Sequence, residues 1–567
     1  MAVRRNRYFA PLTLIVWVLG SLALLGAKAL RQGHVEGLFP WQDERFYRLL
    51  LVAAIWFFSS AGILVIVACI RRLQLPPVAC PCVNPRTVTL LLIILNVTFA
   101  IAYGWLSITR HQRFNSTGYD LAINEQIVWN TLHGRFFASS LEVDNSFADH
   151  FRPFLLAVVP FYAIFPSPLT LLVLQTLVLA MGAVPLYYLA RHKLSSSVVA
   201  LGVVAAYLLY PSVGFVTRFD FHIEAFAVLA FIAAFYALER NQWKWASFWL
   251  VIPLLCKENM GLTVAAFGLY ALLFRRKYAF GTTWIVIGLF TFAATSFWLI
   301  PTIRGESPDT LNRYDWLGHS PQQILVAMIT RPVDIWHQIT EPARLLYLLQ
   351  LLLPVGFLAL IGLPELIPVI PGLMLNLLAQ HHCQPTIYCQ YTVPVIPFVF
   401  VATVCGLFRI RSITSTWVQH GIGVALVLLA FLALWVDNPF AEEQALPSAL
   451  AQTDNAEIVK MALQTVSAEG SLVTTNDYAP HLAQREELYI IGIPSQREPP
   501  IDPNIVFINL YDQEYIICDQ YREYVSQLDI AQYGVVFRTG GLIVIQRNAG
   551  SKELFQDFIL NWNDCAG

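Results

Sequence analysis

Long apolar runs broken by short clusters of charge recur from the start of the chain to about residue 436. A run of about 20 apolar residues, wound as a helix, matches the hydrocarbon thickness of a bilayer. A chain with many such runs cannot hide them all in one soluble core, and in lipid each run must satisfy its own backbone hydrogen bonds as a helix. Of the 567 residues, 57% are hydrophobic and 13% charged, against roughly 25% charged in soluble domains. The sequence therefore describes an α-helical polytopic membrane protein. Its net charge of -1 lacks the basic excess of a nucleic-acid binder.

Run length and flanking charge give about thirteen transmembrane helices. Residues 1–75 read as an accessory N-terminal hairpin, with spans over 11–30 and 47–70, and the first is an uncleaved anchor. Residues 87–436 form the transmembrane core, with outer loops at 108–152 and 301–344. Residues 154–165 are too short to span and read as re-entrant or interfacial. The run at 345–362 reads as one span.

Basic clusters at Arg4, Arg71, Arg191, Arg240, Arg275 and Arg409 fall on one side, assigned to the cytoplasm with the N-terminus. The mixed polar stretches around Asp120, His150, Asp220, Lys257 and His381 fall on the other. Residues 447–567 have a soluble composition: a helix at 455–466, strands at 471–475, 488–491, 505–509, 533–537 and 542–545, and a hairpin turn at 538–541. They form a small extracytoplasmic α/β domain without a phosphate loop or a nameable catalytic motif. The nine cysteines show no disulfide framework. Cys80 and Cys82 lack zinc partners, and Cys518 and Cys565 could bridge in an oxidising compartment.

The stretch from Thr117 to Arg135 follows the apolar run at 87–107 and so starts at a membrane surface. Asp120 falls where a helix would begin and Gly134 where it would stop. Leu121, Val128 and Leu132 share helical spacing, so the helix is expected along the interface, apolar side down. Asp120 reads either as an N-cap or as a catalytic or metal-binding carboxylate, and the two are compatible.

Arg218, Asp220 and His222 lie between two spans, either as a polar hairpin with a local ion pair or as a ligand site. In the second case Arg218 offers a planar fork to a phosphate. Lys257 and Glu258 interrupt apolar sequence, where charge is paired, wet or functional. Lys257 could meet an anionic head group while Glu258 orients a partner. Asp149, His150 and Arg152 close the first outer loop. His381 and His382 are adjacent, and neighbours on a helix point about 100° apart, which disfavours a shared metal.

The string Tyr119-Asp-Leu-Ala-Ile-Asn-Glu-Gln, with His150-Phe-Arg-Pro153, Leu174-Gln175, Pro185-Leu-Tyr187, Phe219-Asp-Phe-His222 and Lys257-Glu258, resembles a bacterial membrane-protein family known only as a domain of unknown function. That family looks distantly related to the GT-C glycosyltransferases, which use lipid-phosphate sugars. The resemblance runs from about residue 87 to the C-terminus and implies a GT-C-like bundle in the bacterial plasma membrane. It also implies a catalytic or metal-binding acid in the first outer loop, by position Asp120. The family pattern usually has an acidic residue after Lys-Glu, where this chain carries Asn259, a departure that would weaken the metal case if that residue were a metal ligand.

The leading expectation is a glycosyltransferase that takes a polyprenyl-phosphate-linked sugar sideways from the membrane lipid. Arg218, Lys257 and Arg152 would bind the donor phosphate, supported by His150, Asp220, His222 and Glu258. Asp120 would deprotonate the acceptor or hold a divalent cation such as Mg or Mn. A transporter or flippase of an anionic or lipid-linked substrate shares the intramembrane charges, although no repeat is evident. A non-catalytic envelope scaffold is the third reading.

Overall fold

The computed structural model describes residues 84–142, 145–305, 309–411, 416–440, 453–491, 498–509 and 518–560. The expected hairpin at 1–75 and the cysteines at 80, 82 and 565 lie outside them. A helical bundle carries a small α/β domain docked on one end.

Four described helices are long and apolar enough to cross a membrane: Pro85–Gln112, Pro168–Leu194, Tyr278–Arg304 and Val418–Val436. Two bent pairs would raise the number to six. The count of thirteen is therefore not supported by helix length. Several runs read as spans form helices of 10–17 residues, among them Ala225–Glu239, Trp243–Cys256, Met260–Arg275 and Ile396–Ile410. The run at 345–362 is bent by 107° between Pro342–Val355 and Leu358–Leu366. Residues 153–164 are indeed a short apolar helical segment.

The bundle interior is aromatic and aliphatic, with Tyr207, Phe231, Phe235, Phe267 and Phe398 fully buried. Without a hydrophobic drive between helices in lipid, close approach depends on small residues. Met260–Arg275 and Tyr278–Ala294 meet in this way: a Cβ on Gly261 or Gly268 would run into the Gly288 or Gly281 carbonyl. Leu90, Ile93, Ile101, Phe290 and Trp298 face outward, the pattern of a lipid-facing surface.

The C-terminal domain contains all five expected strands: β1 (Leu472–Thr474), β2 (Leu488–Ile490), β3 (Ile505–Asn509), β4 (Tyr533–Thr539) and β5 (Leu542–Arg547). They form one sheet in the order β2-β1-β3-β5-β4. β1 pairs in parallel with β2 and β3, and β5 runs antiparallel to β3 and β4. Side chains alternate between faces. Val473, Val506, Ile508 and Ile543 pack beneath the helices Cys518–Ser526 and Lys552–Leu560. Leu472, Ile490, Phe507 and Val544 join one core with Leu121, Ile127 and Tyr162 of the bundle. One face of the sheet is thus a domain interface.

That interface changes the expected role of the helix after Asp120. Ile123–Leu132 is buried on almost every side, so it is not a helix lying apolar side down with a solvated face. Its polar residues are covered by protein. Gln126 donates to Ser140 and to the Arg485 carbonyl, and Glu125 accepts from Tyr162 and Gln484. Burial pushes the Glu125 carboxyl up to about 8, only partly offset by Gln484 and Tyr162. It is therefore a largely neutral strut at neutral pH.

Candidate functional site

Two turns build the site, and side chains from elsewhere hold each one. The first is a π-helical turn, Gly118–Ala122, before the helix Ile123–Leu132. The second is the connection 219–224, between Pro211–Arg218 and Ala225–Glu239. Asn124 ties them together, donating from Nδ2 to the carbonyls of Asp120 (2.8 Å) and Phe221 (3.1 Å). Gln175, half of the Leu174-Gln175 motif, donates to the Val216, Phe219 and Asp220 carbonyls and accepts the His222 N–H at 2.7 Å. Several motif residues therefore act as fasteners.

Asp220 belongs with them. It is fully buried, and its carboxylate accepts from Arg110 (2.5 Å) and from the Thr117 N–H (2.8 Å) and hydroxyl (2.7 Å). It anchors the start of the first turn and does not line the cavity described below. Neither does Arg218, the last residue of its helix.

Asp120 makes no N-cap bond. The cap position of its turn is Thr117, and the Asp120 carboxylate meets His222 Nε2 at 2.9 Å. His222 Nδ1 lies 2.9 Å from the Asp220 carbonyl. A carbonyl and a carboxylate can only accept, so both ring nitrogens are best served by carrying protons. Burial pulls the His222 pKa down, but the Asp120 charge outweighs it and the net shift is upward. For Asp120, burial works against the charged form, and the charges of His222 and Lys257 reverse it to a net downward shift. The pair is carboxylate and imidazolium, with the Asp120 side chain 24% exposed.

The other cations from the sequence are also engaged. Lys257 Nζ lies 2.7 Å from Glu224, a residue the sequence reading passed over. Burial pushes the Glu224 carboxyl up, yet Lys257 and His222 prevail and hold it down at about 2. Arg152 pairs with Glu142 and bonds Ser146. Glu258 accepts from His150 Nδ1 and the Phe151 N–H, both at 3.1 Å, so it fastens the segment that leads into Arg152.

These groups border a cavity of about 630 Å3 between the bundle and the C-terminal domain, within the roughly 300–1,000 Å3 of small-molecule sites. Asp120, His222, Glu224 and Lys257 line it, as do Glu142, Asp149, His150 and Arg152. The sequence reading missed three contributors. Arg313, from the helical turn Asp309–Tyr314, bonds Gln384 (3.2 Å) and Tyr391 (3.0 Å). Among the described residues, no carboxylate lies within ion-pair distance of it. Asn476 and Asp477, from the C-terminal domain, also reach the cavity.

Cys383 and Cys389 form a disulfide in the cavity wall beside His381 and His382. This corrects the expectation of no disulfide framework. A bridge in this position suits an oxidising compartment. Among the described residues, no group of three or more His, Cys, Asp or Glu side chains is arranged to hold a metal ion. With Asp120 committed to His222, the donor set does not fit the divalent cation considered above, and no step is assigned to one.

Residues 110–544 match the family described as predicted membrane protein DUF2079, and the chain belongs to that family. In overall fold it is similar to the crystal structure of ArnT from Cupriavidus metallidurans bound to undecaprenyl phosphate. The TM-score is 0.50 at 15% identity, covering 81% of this chain and 98% of that one. The apo structure of the same ArnT gives a TM-score of 0.48 at 13% identity, with the same coverage. No curated protein matches the chain. The bundle and its small C-terminal domain thus define an integral membrane protein of GT-C-like, ArnT-like fold.

Proposed function

We propose that this protein transfers a sugar from a polyprenyl-phosphate donor to a hydroxyl acceptor in the cavity between the bundle and the C-terminal domain. The observation that carries the reading is a partly exposed carboxylate, Asp120, on the wall of a cavity that Lys257 and Arg313 also line. The similarity in fold to a structure with undecaprenyl phosphate bound supports a lipid phosphate as the donor's leaving group.

In this reading the acceptor hydroxyl gives its proton to Asp120. Its oxygen bonds the anomeric carbon, and the bond from that carbon to the phosphate oxygen breaks. The electron pair leaves with the lipid phosphate. A depressed carboxyl pKa makes Asp120 a weak base, so its share belongs near the lower end of the ~10²–10⁴-fold general-base range. His222 orients it.

The phosphate falls to different groups than the sequence suggested. Arg152 is committed to Glu142, and Arg218 lies off the cavity. Lys257 spends one of its three N–H donors on Glu224 and keeps the others. Among the described residues, Arg313 has no carboxylate partner. Arg313 and Lys257 therefore receive the phosphate.

The test uses the full chain in lipid nanodiscs with labelled undecaprenyl-phosphate sugars and an envelope extract as acceptor. Transfer that Asp120→Asn removes supports the reading. Movement of the lipid between leaflets without any sugar transfer would replace it with transport.

A further inference from the structure

With one residue between, Asn476 and Asp477 follow the end of β1, the strand flanked in parallel by β2 and β3. In open α/β sheets the carboxyl ends of parallel strands are where ligands bind, because successive connections there diverge to leave a crevice. Here that crevice opens toward the membrane-domain cavity.

Asn476 does two things at once. Its Oδ1 accepts the Gly118 N–H at 2.9 Å, which fixes the turn that presents Asp120 two residues later. Asn476 is only 2% exposed, and among the described residues its buried Nδ2 has no hydrogen-bond partner. A sheltered donor without an acceptor is destabilising, and a ligand oxygen in the cavity would satisfy it. Asp477 lines the same cavity and offers acceptor oxygens.

The contact is built rather than incidental. A Cβ on Gly118 would collide with Ile490 Cδ1 and come within 3.2 Å of the Asn476 carbonyl oxygen. Nearby, the His481 ring stacks on His111 with centroids 4.0 Å apart, and Ser140 bonds both the N–H and the carbonyl of Leu488. The turn and the domain are therefore held face to face.

An amide donor beside a carboxylate acceptor, at the rim of a polar cavity, is the pairing that reads vicinal hydroxyls. We infer that Asn476 and Asp477 form the acceptor subsite and that the acceptor is a carbohydrate, held by its hydroxyls with one presented to Asp120. The word acceptor rests on the transfer reading. Glycan recognition at this place is tested without transfer.

The full-length protein in nanodiscs is applied to an array of immobilised oligosaccharides with hexose, pentose and amino-sugar termini. Saturable binding to at least one class is expected, weakened tenfold or more by Asp477→Asn and by Asn476→Ala. Melting temperatures are read alongside. If Asn476→Ala fails to fold, Asp477→Asn alone decides. Absence of saturable wild-type binding, or binding that Asp477→Asn leaves unchanged, overturns the inference. Binding that depends on Asp477 in a protein without transfer activity would keep the subsite and sink the transfer reading instead.

Discussion

The helix Ala225–Glu239 has a buried acid at each end, and the two ends behave differently. Its 15 residues separate them by about 22 Å at 1.5 Å per residue. At one end Glu224 pairs with Lys257, next to the Asp120–His222 pair. At the other, Glu239 is clamped between Lys193 (2.5 Å) and Arg275 (2.8 Å), with Glu365 and Arg409 forming a second pair at 2.7 Å. The ingredients are the same, buried carboxylates neutralised by basic side chains. The first cluster borders a cavity, whereas none of the second cluster's residues lines it. Buried charge in a helical bundle must be paired whether or not it has work to do. Pairing is therefore no guide to function, and access is.

The largest expected effect is at the open end. Asp120→Asn should lower sugar transfer by about 10²-fold or more while leaving the melting temperature nearly unchanged, because a partly exposed amide can still face His222. Full turnover by this variant in the nanodisc assay would remove the distinction between the two ends.

Next in size is Lys257→Met, which leaves Glu224 buried and uncompensated and should cost about 3–5 kcal/mol in thermal or denaturant unfolding. Adding Glu224→Met should restore most of that stability without restoring activity. If activity also returns, Lys257 serves only the fold.

The closed end supplies the control. Glu239→Gln should destabilise by about 1–3 kcal/mol, less than Lys257→Met, because Lys193 and Arg275 are 14% and 29% exposed and can turn toward water. Transfer per folded molecule should stay within about twofold of wild type, measured by normalising rates to the monodisperse fraction.

Arg313→Gln should raise the donor concentration for half-maximal rate by about tenfold, the loss of one charge-assisted phosphate contact of roughly 1.4 kcal/mol. The maximal rate should be kept. A fall in maximal rate alone would move Arg313 from donor binding to the chemical step.

The smallest effect is one of pH. The folded pKa of His222 is raised, so its pairing with Asp120 stabilises fully below the unfolded value of about 6.5. That contribution is lost as pH rises through the raised folded value. The difference in melting temperature between wild type and His222→Gln should be largest near pH 6 and shrink toward pH 9, roughly. A difference that grows with pH would mean the imidazole is neutral in the pair.

What the sequence made legible follows from how local each signal is. The five strands were readable because alternation and turn residues act within a few positions, and β1, β2, β3 and β5 each have one face on each core. Asp120 stood out because its motif is contiguous. Span number was not readable, because an apolar run of 10–17 residues looks alike whether it crosses, tilts or turns back. The partners of the charged residues were equally hidden. Glu224 for Lys257 and Glu142 for Arg152 depend on which helix ends meet, and sequence spacing carries none of that. Arg313 and Asn476 were missed for the same reason: Gly118 and Asn476 are 358 residues apart, and nothing near either one announces the other.

The docking of Asn476 against the Asp120 turn also bears on biosynthesis. A chain leaves the ribosome N-terminus first and folds in that order, so the Asp120 turn is made well before its companion loop, with Gly118 and Asn476 358 residues apart. Until the last sheet closes over it, the pocket has a floor and no ceiling. On the transfer reading, a chain that stopped short of this domain would already be seated in lipid yet unable to grip the acceptor.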